Sequence, residues 1–167
     1  MMNIEVQNII FQLNDAYQGT PWFGRAIKVL LSEVDESIAF EKPGGQHSIL
    51  ELLWHMIIWR EFTISRIQPT EGKDLNYFEQ NDWRDFDHAD KSLWQKGLRV
   101  LDETQKQLIS LIEKQQDDLL GVQVQDRTYN FRKLLYGIVQ HDIYHTGQIA
   151  YIKKLLSTGD AASSPML

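Results

Sequence analysis

The chain has 167 residues, enough for one domain with a sizeable core, and its formal net charge of −6 argues against broad contact with phosphate backbones or anionic membrane surfaces. Cysteine is absent, which excludes disulfides, thiolate metal ligands and a cysteine nucleophile. No uncharged apolar stretch approaches the ~20 residues needed to span a bilayer, and Met1-Met2-Asn3-Ile4-Glu5-Val6 lacks the basic region and apolar run of a secretory signal, so a soluble cytoplasmic protein with neither nucleic acid nor membrane as partner is expected.

Val6, Ile10, Leu13 and Tyr17 recur at helical spacing and predict an amphipathic first helix, broken by Gly19-Thr20-Pro21. Thr20 is the expected cap of a second helix with Pro21 at its first position, where the missing N–H does no harm. Phe23, Ile27, Leu30 and Val34 form that helix's inward stripe, and Lys42-Pro43-Gly44-Gly45 ends it. Ser48 and Glu51 make a capping-box pattern that opens a third helix running to about Gln68. This helix is apolar on nearly every side, as befits the middle of a bundle.

From Pro69 to about His88 the chain is polar, aromatic and aperiodic, and predicts a long loop with a short helix; loops of this length are often lids or binding walls. A fourth helix is expected from about Asp90, with Leu93, Val100, Thr104, Leu108 and Leu111 facing in. Gln115 to Tyr129 is a connector, and a last helix runs from about Asn130 to Leu156. Nothing alternates with period two long enough to require a sheet. The expected architecture is all-α: four long helices plus a short one in a single domain over residues 1–156, followed by a flexible tail over 157–167.

Within the last helix, His141 and His145 stand one turn apart. At about 100° per residue they lie only about 40° apart on the helix, so both imidazoles project to one side, within the stripe of Leu134 and Ile138. An imidazole in an apolar stripe loses its hydration and needs strong partners. His55 on the third helix shares a side with Leu52, Trp59 and Phe62 and is inward-facing too. Three inward histidines predict a buried centre for a divalent metal. His47 and His88 read as surface histidines.

These residues also carry a resemblance. Ser48-Ile49-x-Glu51-Leu52-Leu53-x-His55, followed by Gln140-His141-Asp142-x-Tyr144-His145-x-Gly147-Gln148-Ile149, resembles the DinB/YfiT-like family of metalloenzymes. The similarity extends over about residues 5 to 156, and Pro21-Trp22 resembles one branch of that family. The resemblance implies an up-down-down-up four-helix bundle, often dimeric, with His55, His141 and His145 as the ligands of one divalent ion. Phe23 stands where some relatives carry a histidine, so that loop is not expected to add a fourth ligand. Tyr144 and Gln148 are implied as pocket residues. Relatives include metal-dependent transferases of low-molecular-weight thiols such as bacillithiol or mycothiol, and hydrolases.

Three neutral imidazoles leave an ion its full charge and an open position for substrate, which is a catalytic arrangement. Zinc or nickel are the first choices of metal, with iron or manganese also compatible. The expected function is activation of a small thiol for S-transfer to an electrophile, or of water for hydrolysis. The alternative is a non-catalytic metal-binding or stress-response protein in which the ion staples the bundle. No residue is singled out as a catalytic acid or base. Asp142 reads either as a carboxylate orienting an imidazole or as a helix-face charge paired with Lys or Arg. Arg66 reads as a solvated helix end, and Trp83 as a candidate wall of the pocket mouth.

Overall fold

The computed structural model describes residues 3–69 and 73–159, with the side chains of 158 and 159 left aside. Four long helices carry the architecture: α1 (Ile4–Gln18), α4 (Ile49–Ile67), α6 (Ser92–Ile112) and α7 (Phe131–Gly159). Between them lie the short helices α2 (Ile27–Ser32), α3 (Glu36–Ala39) and α5 (Leu75–Gln80), and 3₁₀ turns at Pro43–Gly45 and Asp117–Gly121. Among the described residues there is no strand, only an isolated bridge between Gln123 and Asn130.

The ends of these helices follow from local chemistry. Ser48 caps α4 reciprocally: its backbone N–H donates to Glu51 Oε2 at 2.8 Å, and the Glu51 N–H donates to Ser48 Oγ at 3.1 Å. The N-terminus of α1 is capped from across the chain by Asp117, whose carboxylate accepts from the Val6 N–H at 2.9 Å. Asn130 Oδ1 accepts from the Lys133 N–H at 3.1 Å where α7 begins.

The second helix departs from expectation. Thr20 does not cap it; its N–H instead donates to Asp15 Oδ1 at 3.1 Å, closing the end of α1. Pro21 to Arg25 form a turn that passes through Gly24 at φ 138°, a value closed to a side chain. Helix therefore starts only at Ile27 and is split into α2 and α3, with Asp35 capping the latter. Trp22 and Phe23 lie outside it and are exposed, so the inward residues here are Ile27, Leu30, Leu31 and Val34. At the other end, α7 continues through Gly159, past the expected end at Leu156, and the rest of the expected tail, 160–167, lies outside the described residues.

Cross-chain contacts fix the helix directions. Asn3 bonds the Gln115 carbonyl and Tyr17 bonds Asp102, so α1 and α6 are antiparallel. Gly97 lies against Leu53 and Trp54 while Gln105 meets Arg60, so α6 and α4 are parallel. His55 faces His145, whereas Phe62 packs in one cluster with Phe131 and Leu134, so α4 and α7 are antiparallel. The result is an up-down-down-up bundle. Because α4 and α6 run the same way, residues 68–91 must cross back along the bundle, and that crossover brings Asp82 and Trp83 onto the side of His55.

Three apolar clusters build the core: one gathers α2, α3 and the first half of α4, one joins α1 to α6 and α7, and one centres on Phe62 and Phe78. Within the bundle sits a polar layer. Arg60, fully buried, donates through Nε (3.0 Å) and an η-nitrogen (2.6 Å) to Asp142 Oδ2, and through its other η-nitrogen to Gln105 Oε1 at 2.7 Å. Gln105 in turn donates to the Leu13 carbonyl at 3.3 Å, so this layer ties together all four long helices. No helix among the described residues is long and apolar enough to cross a membrane.

Candidate metal centre

Ligand atoms of His55, His141 and His145 all lie within 4.8 Å of one another, a group that could hold a metal ion. Helix α4 contributes one ring and α7 two, because i, i+4 spacing turns both α7 imidazoles toward α4. His55 Nε2 and His141 Nε2 approach to 2.9 Å. The His145 ring stands edge-on to both, with centroids 4.5 Å from His55 and 4.4 Å from His141. His55 and His145 are buried and His141 is partly exposed.

The opposite nitrogens face oxygens. His145 Nδ1 lies 2.6 Å from Gln148 Oε1, which can only accept, so Nδ1 carries the proton and Nε2 keeps its lone pair. His55 Nδ1 lies 2.8 Å from Asp82 Oδ1, off the hydrogen-bond direction, and that oxygen also accepts from Trp59 Nε1 at 2.6 Å. His141 Nδ1 and Asp142 Oδ1 are both buried without a hydrogen bond, 3.7 Å apart. Imidazoles backed by oxygens and converging through their other nitrogens are what a first-row divalent ion requires, so the residues fit one.

Burial disfavours the charged form of two of the rings, His145 and His55. Burial is the main cause that pushes His145 down to about 4, with His141 adding to it. Burial likewise lowers His55, opposed by Asp82. Burial alone would raise Asp142, but the Arg60 guanidinium and His141 together outweigh it and hold the carboxyl below its usual range. Asp142 is thus bound to an arginine through one oxygen, while its other oxygen lies 3.7 Å from His141 Nδ1 without a hydrogen bond.

A cleft of about 620 Å³ runs along one side of the centre, with His145, Gln148, Tyr144 and Trp83 in its wall. Gln148 Nε2 donates to the Tyr144 hydroxyl at 3.3 Å, linking the two residues expected in the pocket. Trp83 stacks on His55 with centroids 3.9 Å apart and on His47 at 3.7 Å, the two rings nearly parallel to it. His47 is exposed, as expected, and forms the outer layer of a sandwich over the site. Arg66 is no solvated helix end either; its guanidinium lies 4.6 Å from the Phe62 ring centroid.

Sequence reasoning passed over Arg60, Asp82 and Gln105. Arg60 left a signal, a cation in the middle of the largely apolar α4, whose burial demands a partner. Asp82 left none, because its place comes from the crossover.

An all-helical bundle with a three-histidine cluster between two antiparallel helices defines the class of protein. Residues 24–149 match the DinB superfamily, and the chain belongs to it. No curated protein and no solved structure matches the chain.

Proposed function

We propose that this protein is a metal-dependent enzyme in which His55, His141 and His145 hold one divalent ion, zinc or nickel ahead of iron or manganese, and which activates a low-molecular-weight thiol for S-transfer or a water for hydrolysis. The observation that carries this is the meeting of three imidazoles beside an open cleft that has His145 in its wall. A bound ion supplies Lewis acidity, making a thiol or water nucleophilic near neutral pH. The chain does the rest. Gln148 fixes the His145 tautomer, Asp82 backs His55, and Arg60 holds Asp142 in place beside His141. Trp83 covers the His55 ring and shields it from water. The site of action is the reducing cytoplasm, where small thiols reside, and the working form is a homodimer.

Elemental analysis of the purified chain, followed by consumption of a small thiol with monochlorobimane as electrophile and by ester hydrolysis, tests this proposal. Turnover that needs the metal and disappears in His145→Ala supports it. Full metal occupancy without turnover of either kind would leave a non-catalytic metal-binding protein with a structural ion.

A further inference from the structure

Helix α7 carries glycines at positions 137 and 147, in the interior of its 29 residues, where glycine weakens a helix relative to alanine. Neither position has the positive φ that would call for glycine. Nor does close packing require it, since a Cβ at either would meet nothing within 4 Å. What the two share is a cleft. Gly147 lies in the wall of the 620 Å³ cleft, and Gly137 in the wall of a second cleft of about 240 Å³. The histidines stand between them: α7 contributes residues 133–141 to the smaller, ending at His141, and 144–155 to the larger, including His145.

The two walls differ in chemistry. The larger is faced by Trp83, Tyr144, Tyr151 and Leu155 and contains no Asp, Glu, Lys or Arg, whereas a neighbouring cleft is lined by Lys42, Glu51, Arg84 and Asp85. An ionic group entering the larger cleft would meet no Asp, Glu, Lys or Arg of opposite charge to offset its lost hydration. The smaller cleft is apolar around Trp59, Phe62 and Tyr129 and holds one charged side chain, Lys133.

We propose that these are two substrate subsites flanking the histidine cluster: the larger takes a neutral, ring-bearing organic molecule, and the smaller a short apolar thiol carrying a carboxylate for Lys133. Gly137 and Gly147 keep them open. Two organic subsites are the layout of group transfer, not of hydrolysis of a single substrate. The chemistry, though not the subsites, rests on the proposed metal centre. In the transfer the thiol in the smaller cleft releases its proton to solvent. Its sulfur lone pair forms a carbon–sulfur bond to the electrophile in the larger cleft, and the leaving group departs with the electron pair of the bond that breaks.

The test uses the full chain, stripped with chelator, with 2-naphthol and butyrate as probes in calorimetry and saturation-transfer NMR. Both bind, and neither displaces the other. The charged analogues 2-naphthoate and 2-naphthylmethylammonium bind about tenfold or more weakly than 2-naphthol. Gly147→Leu weakens 2-naphthol by about tenfold and leaves butyrate unchanged, while Gly137→Leu and Lys133→Ala weaken butyrate alone. Both leucine variants gain helix propensity, so lost binding is not lost fold. Mutual displacement, equal binding of the charged analogues, or a leucine that leaves its own probe unaffected would overturn the two subsites. With one equivalent of Mn²⁺ added, the proton lines of both probes broaden in wild type but not in His55→Ala. Bound probes without retained ion overturn the metal centre and leave the subsites standing; displacement between probes with the ion retained does the reverse.

Discussion

Arg60 and Asp142 are the most consequential pair of side chains in the core. Both are buried, and each is the other's charge partner. Removing one leaves an uncompensated charge in a low-dielectric interior, so Arg60→Ala should lose about 3–5 kcal/mol in urea denaturation. Arg60→Met combined with Asp142→Leu should recover most of that, because the cost lies in the orphaned charge and not in the missing bridge. At the surface, Asp102 accepts from Lys106 and Lys28, hydrogen bonds that hold its carboxyl down to about 2. Its folded value lies below the unfolded one, so its stabilisation is full above about pH 4 and fades as pH falls toward about 2. The stability difference between wild type and Asp102→Asn should shrink across that window.

Among the elements, α4 has the most self-contained boundary. Its capping box is complete, and Lys42 adds a 2.6 Å ion pair to Glu51. Ser48→Ala should therefore cost about 1 kcal/mol, measured by thermal unfolding, while Ser48→Asp should cost less. The same local logic failed at Thr20-Pro21, where equally suitable start residues precede a turn. There Asp15, at the end of α1, had already claimed the Thr20 N–H, and Gly24 took the chain out of helical space. Cap signals are competed for, and sequence order alone does not name the winner.

For the molecule as a whole, the ion should add to a core that stands without it, since each long helix has its own apolar stripe. Adding zinc to stripped wild type should raise stability by roughly 3–4 kcal/mol at 100–1,000 times Kd. The same addition should do little to His145→Ala, with His88→Ala behaving as wild type. Assembly is testable as well. Ile4 and Phe11, on one face of α1, are 54% and 68% exposed, which suits an isologous contact with a second copy. Light scattering should give twice the 19.5 kDa of the chain, and Phe11→Glu should halve that mass.

Period, caps and breakers made the bundle legible in advance: the stripe of Val6, Ile10, Leu13 and Tyr17, the box at Ser48, and the paired histidines at 141 and 145 are encoded over a few residues each. Local patterns sufficed for these because helices close their hydrogen bonds within one segment. Their limit shows at Asp82, which reaches His55 only because α4 and α6 run parallel and the chain must cross back over the site. It shows again at Gly137 and Gly147, which look like defects in a helix until two clefts are seen beside them. Arg60 lies between the cases: its charge in an apolar helix announced a partner, but the choice of Asp142 and Gln105 belongs to the packing of helices far apart in the chain. Contacts within one turn are written in neighbouring residues, whereas contacts across the bundle depend on which faces the folded chain presses together.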